Sequence, residues 1–195
     1  MPDPFSRWSD QDHGADDEDP RVQRTRQHVL QTARALLAEG GPAALTHTAL
    51  SARARVSRQT LYRYWPTPEN LVADMVRRRV ATVPEEPAAD VEAVVRDYVR
   101  SLAAAFTDRS VHGAYAMLIA TAATDEDVAA VLRDVIEQRR VALNDQLAPW
   151  GCSVSAAQFA LVVGPVVHLA FVAHSPLGDD VVDMVVRDAV RRLAG

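Results

Sequence analysis

Residues 46–65 run THTALSARARVSRQTLYRYW, and few folds accommodate that order. Two short helices fit it, Thr46 to Ala54 and Arg58 to Tyr64, separated by a tight corner at Arg55, Val56 and Ser57. Leu50, Ala54, Val56 and Leu61 are spaced to face inward and hold the pair together. Thr46, Thr48, Ser57, Arg58, Gln59, Thr60, Tyr62, Arg63 and Tyr64 are left outside. Their hydroxyl, amide and guanidinium groups are the kinds that bond phosphates and base edges. The outline is a helix–turn–helix, whose second helix enters the major groove of duplex DNA while the first crosses the backbone.

Charge is divided along the chain in a way that fits this outline. The net charge of −5 conceals −6 over residues 1–20, +8 over residues 21–80 and −7 over residues 81–195. A basic block inside an acidic protein is the electrostatic footprint of a local nucleic-acid reader, the alternative being a solvated arginine-rich face. Every strong base is arginine, which together with the Ala and Val excess fits a GC-rich bacterial genome. No apolar run is long enough to cross a bilayer, and the acidic start predicts no secretion signal. A single cysteine, Cys152, excludes an internal disulfide framework and fits the cytoplasm.

Residues 1–20, with Asp16-Asp17-Glu18-Asp19-Pro20, lack periodic apolar positions and are expected to be disordered. They are either an inert tail or a competitor with phosphate for the neighbouring arginines. A first helix is predicted from Arg21 to Glu39 on Val29, Leu30, Ala33, Leu36 and Leu37, with Gly40-Gly41 as its stop. Thr67-Pro68-Glu69-Asn70 opens another, expected to run to about Thr82 before Pro84 and Pro87 end it. Beyond Pro87 the pattern predicts four to five further helices and no strand. They are Asp90 to Phe106, Val111 to Ala123, a long helix from the acids at 125–127 through Leu147, Ser155 to Ala173, and Asp179 to Leu193. Pro149-Trp150-Gly151 breaks the long one. The fold class is therefore all-α, divided into the tail at 1–20, a three-helix DNA-binding domain at 21–66 and a helical domain at 67–195.

Gly40-Gly41, Leu45-Thr46, Ala54-x-Val56-Ser57, Thr60-Leu61-Tyr62-x-Tyr64-Trp65-Pro66 and Glu69-x-Leu71 follow one another at a spacing that resembles TetR-family transcriptional regulators. The resemblance covers about Val22 to Val80. It implies that Arg58, Gln59 and Thr60 reach base edges, with Tyr62 one turn on. Thr46, Thr48, Ser57 and Tyr64 are then left to the backbone, and Leu61 to the core. Three positions depart from the family pattern: Arg55 stands where Gly is usual, Gln59 where a small residue is common, and Pro68 where a basic residue is frequent. The resemblance also implies a homodimer on a palindromic operator. Residues 155–193 supply its interface, unless the two last helices only complete the monomer's own core.

A small-molecule effector held by the middle helices is implied as well. Tyr98, Phe106, His112, Tyr115, Met117, Trp150, His168 and Phe171 are the candidate lining, and ordinary core packing is the competing role for each aromatic. Such a lining suggests a small hydrophobic or aromatic ligand. His168 and His174, six apart, do not share a helical face, so no metal and no cofactor are expected. No glycine-rich phosphate loop, nucleophile elbow or zinc spacing supports an enzyme. A helical interaction protein without operator recognition is the other rival, and repressor and activator both remain open.

Overall fold

The computed structural model describes residues 20–77 and 88–193. The expected acidic tail lies outside them except for Pro20, which is the first residue of a helix rather than the last of the tail. Among the described residues there are nine α-helices and two 3-10 turns, with no strand. In chain order the helices are α1 Pro20–Gly40, α2 His47–Ala54, α3 Arg58–Tyr64, α4 Pro68–Arg77, α5 Val91–Thr107, α6 Arg109–Ala122, α7 Glu126–Leu147, α8 Ala156–Phe171 and α9 Asp179–Leu193. Their bounds follow the expected spans to within a few residues. The expected continuation of α4 to Thr82, and its stop at Pro84 and Pro87, lie outside the described residues.

Side-chain caps fix most of the starts. Asp90, Asp108, Asp125 and Ser155 each accept hydrogen bonds from backbone amides of the turn they precede. Ser155 forms a full capping box, Gln158 reaching back to the Ser155 backbone N–H at 2.9 Å. Before α4, Thr67 and Asn70 cap reciprocally, each side chain accepting from the other's backbone N–H. Gly41 ends the first helix at φ 66°, a left-handed conformation that favours glycine.

α6 is the central element. α1 and α4 from the N-terminal half pack on it, as do α5 and α7. At Gly113 the approach is close enough that an added Cβ would meet Leu37 Cδ2 at 3.5 Å and Pro42 Cδ at 3.7 Å. One continuous apolar cluster therefore runs from Val29 of α1 to Ala189 of α9. No helix among the described residues is long and apolar enough to cross a membrane.

Candidate nucleic-acid interface and aromatic cluster

α2 and α3 meet at a corner that three local features hold. Arg55 closes α2 in the left-handed region, at φ 55° and ψ 37°. Ser51 Oγ donates to the Val56 carbonyl at 2.7 Å, pinning the turn to α2. Ser57 then caps α3, its hydroxyl accepting from Thr60 N at 3.1 Å and lying 2.9 Å from the Thr60 hydroxyl. Thr46 caps α2 in the same manner, accepting from Ala49 N at 3.1 Å. The caps occupy the hydroxyls of Thr46, Ser57 and Thr60, but leave the first backbone amides of both helices pointing outward. Leu61 and Trp65 are buried, so α3 turns one face to the core and the other to solvent.

On that outer face Arg58 and Gln59 are exposed, and neither side chain has a hydrogen bond to another described residue. Tyr62 is exposed and its ring packs on His47, 4.3 Å between centroids. Tyr64 is half-buried, with Arg63 donating to its hydroxyl at 3.1 Å and stacking over its ring. Thr48 is exposed at the start of α2. The residues expected to meet DNA thus share one end of the molecule, with Arg58 and Gln59 as its uncommitted tips.

Behind them is a polar anchor that sequence reasoning missed. His47 Nε2 lies 2.8 Å from the Trp65 carbonyl, a buried contact that ties the two ends of the helix pair. Trp65 Nε1 donates to Asp74 Oδ2 at 3.1 Å, and Arg26 Nε donates to the same oxygen at 3.0 Å. Asp74 therefore joins α1, the end of α3 and α4 at one carboxylate. The available signal was an acid on the apolar face of α4, where an unpaired charge would be costly. Arg53 and Glu39 add an exposed two-pronged ion pair between α2 and α1, which holds the Glu39 carboxyl below its ordinary range.

Five of the eight residues proposed for a ligand site come together between α5, α6, α7 and α8. Phe106 meets Tyr115 at 5.2 Å and Phe171 at 4.9 Å edge-on, while His112 stacks on Phe171 at 4.6 Å. Tyr98 lies against Phe159, and Arg139 places its guanidinium 5.6 Å above the Tyr115 ring. Burial pushes the Tyr98 phenol up to about 12, with the Arg139 charge opposing part of that rise. Met117 is half-buried against the general core.

Trp150 and His168 stand apart from the cluster. The 3-10 turn Ala148–Trp150 carries Trp150 to an outer corner, where it is 42% exposed. His168 shares an outward strip of α8 with Leu161, at helical spacing, and is exposed. A cleft of about 160 Å³ lies away from the cluster, between Val22, Thr25 and Val29 of α1 and Thr60, Arg63 and Tyr64 of α3.

Residues 29–75 match the family model described as bacterial regulatory proteins, tetR family. No curated protein matches the sequence. Several solved structures share the fold. A TetR transcriptional regulator from Rhodococcus sp. RHA1 superposes with a TM-score of 0.65 at 19% identity, covering 89% of this chain and 97% of its own. A transcriptional regulator from Streptomyces coelicolor A3(2) gives 0.65 at 22%, covering 88% and 99%. The flavonoid-responsive regulator FrrA gives 0.53 at 24%, covering 88% and 95%.

Proposed function

From a chain whose residues 29–75 match the model of the tetR family of bacterial regulatory proteins, and whose described body has the fold of TetR-family regulators, we propose a sequence-specific DNA-binding transcriptional repressor. It sits as a homodimer on a palindromic operator in the cytoplasm and is released by a small hydrophobic or aromatic effector. The observation that carries this reading is the pair Arg58 and Gln59, exposed and unengaged at the start of a capped helix whose opposite face is anchored in the core. Arg58 has the fork for guanine O6 and N7, and Gln59 the amide for adenine N6 and N7. Tyr62 extends the contact by one turn. Thr46, Thr48, Ser57, Thr60 and Tyr64 bound the surface, with backbone amides at both helix starts suited to phosphate. The reading involves no catalytic step.

A seven-residue recognition helix offers one short contact, so specificity calls for a second copy on a second half-site. The outward strip of α8 and the exposed Met184 of α9 support pairing through residues 155–193, in a four-helix arrangement with a twofold axis. For the effector, support comes from the aromatic cluster of Tyr98, Phe106, His112, Tyr115 and Phe171, and the likeness to a flavonoid-responsive regulator is compatible with it. α6 offers the route between the two. His112 stacks within the cluster, and its neighbour Gly113 packs on Leu37 of α1, so a displacement of α6 is felt directly by the DNA-reading half.

Selection of bound fragments from random DNA with the purified protein tests the proposal. A consensus of two inverted half-sites is expected. Arg58→Ala should weaken binding to it roughly 10- to 100-fold and relax preference at one base pair per half-site. Binding without any sequence consensus, or an Arg58→Ala protein with unchanged selectivity, contradicts it.

A further inference from the structure

Arg139 is the anomalous cation of the C-terminal half. Its Nε is buried without a hydrogen-bond partner, and none of the ion pairs among the described residues includes it. Its neighbour on α7, Arg140, shows what the same helix does with a structural arginine. Arg140 bonds Glu137 and donates to the Val154 carbonyl at 3.0 Å. Facing Arg139 from α5 is the Tyr98 hydroxyl, also buried and also without a partner. Tyr98 stays a neutral O–H donor at any physiological pH, because burial disfavours its ionised form. The guanidinium faces the phenol oxygen and the Tyr115 ring, but the buried Nε–H and the phenol's own proton are left without an acceptor. Buried polar atoms of native proteins are rarely left so, and each one costs free energy until it finds a partner.

We propose that Arg139 and Tyr98 receive the carboxylate of a small organic acid whose planar apolar body lies among Phe106, His112, Tyr115 and Phe171. A carboxylate matches the arginine fork with two oxygens and can accept from the phenol as well. Neutral ligands of the same shape bring the guanidinium no opposite charge, so the site discriminates by charge before shape. His112 and Phe171, both half-buried, form the border between the cluster and solvent, where the apolar end would be covered. The inference deepens the effector reading above and rests on it for its regulatory meaning. The binding chemistry stands on Arg139 and Tyr98 alone.

The test uses the full chain and matched probes: benzoate, cinnamate and 3-phenylpropionate, each beside its neutral amide. In calorimetry and thermal melts, at least one acid should bind wild type tenfold or more tightly than its amide. Arg139→Met should abolish that preference and Tyr98→Phe weaken it several-fold. Without any ligand, Arg139→Met should leave the melting temperature level or raise it, since it removes a buried N–H that has no acceptor and keeps a side chain of similar length. No acid preferred over its amide, preference surviving Arg139→Met, or a lowered melting point in that variant each overturns the proposal. Acid binding that leaves operator DNA bound keeps the site and removes its role as effector site. Acid binding by a protein with no DNA selectivity keeps the site while the regulator reading fails.

Discussion

Arg55 shows what one residue can cost a recognition fold. A Cβ in the left-handed region crowds the neighbouring carbonyl, at about 1–2 kcal/mol for an ordinary residue; glycine escapes that cost, but its freer unfolded chain offsets part of the gain. Arg55→Gly should therefore stabilise the protein by about 1 kcal/mol, a rise in melting temperature of roughly 2–4 °C. A fall on calorimetry would mean that the arginine side chain supports the corner in a way its geometry does not reveal. Asp74 works in the opposite sense. Asp74→Ala leaves Trp65 Nε1 without its acceptor and takes a carboxylate from Arg26, both beneath α3. The expected loss is about 2–3 kcal/mol, read as a lower urea midpoint with unchanged slope. An unshifted midpoint would show that water replaces the carboxylate freely.

At the level of elements, capping residues and apolar periodicity make the helices legible in the sequence itself. Ser57, the Thr67-Pro68 start and the acids at 125–127 lie where local sequence alone decides the outcome. The facing of individual side chains was less accessible. Trp150 was grouped with the ligand cluster by residue type, but a proline-containing turn carries it outward, and His168 falls on the outer strip of α8. That strip bears on the proposed dimer. Leu161 is half exposed, a Cβ on Gly164 would meet nothing within 4 Å, and Pro165 lacks the N–H that would bond the Leu161 carbonyl. An apolar face with a small residue at its centre allows another helix to come close. Leu161→Glu should therefore yield a monomer by sedimentation, with helical circular dichroism retained and operator affinity sharply reduced. A dimer persisting at micromolar concentration would move the interface elsewhere.

For the molecule as a whole, the connection between its halves depends on packing that no short window encodes. Gly113 looks like an ordinary helix-weakening glycine until Leu37 and Pro42 are placed against it, some seventy residues away in sequence. Arg139 is equally unremarkable in the chain, because the burial of its Nε between the Tyr98 hydroxyl and the Tyr115 ring is a property of three helices together. Charge, by contrast, was legible from composition: residues 21–80 carry +8 and residues 1–20 carry −6. The acidic segment precedes α1 in the sequence and carries the charge opposite to that of the arginines that would meet phosphate. If it competes for them, deleting residues 1–19 should tighten DNA binding several-fold at 50 mM salt, and the gain should shrink towards zero by 300 mM as the Debye length falls. The full-length protein should also show a shallower dependence of affinity on salt than the truncated one, since its own carboxylates replace part of the counterion release. Equal affinities and equal slopes for the two proteins would make the segment electrostatically inert.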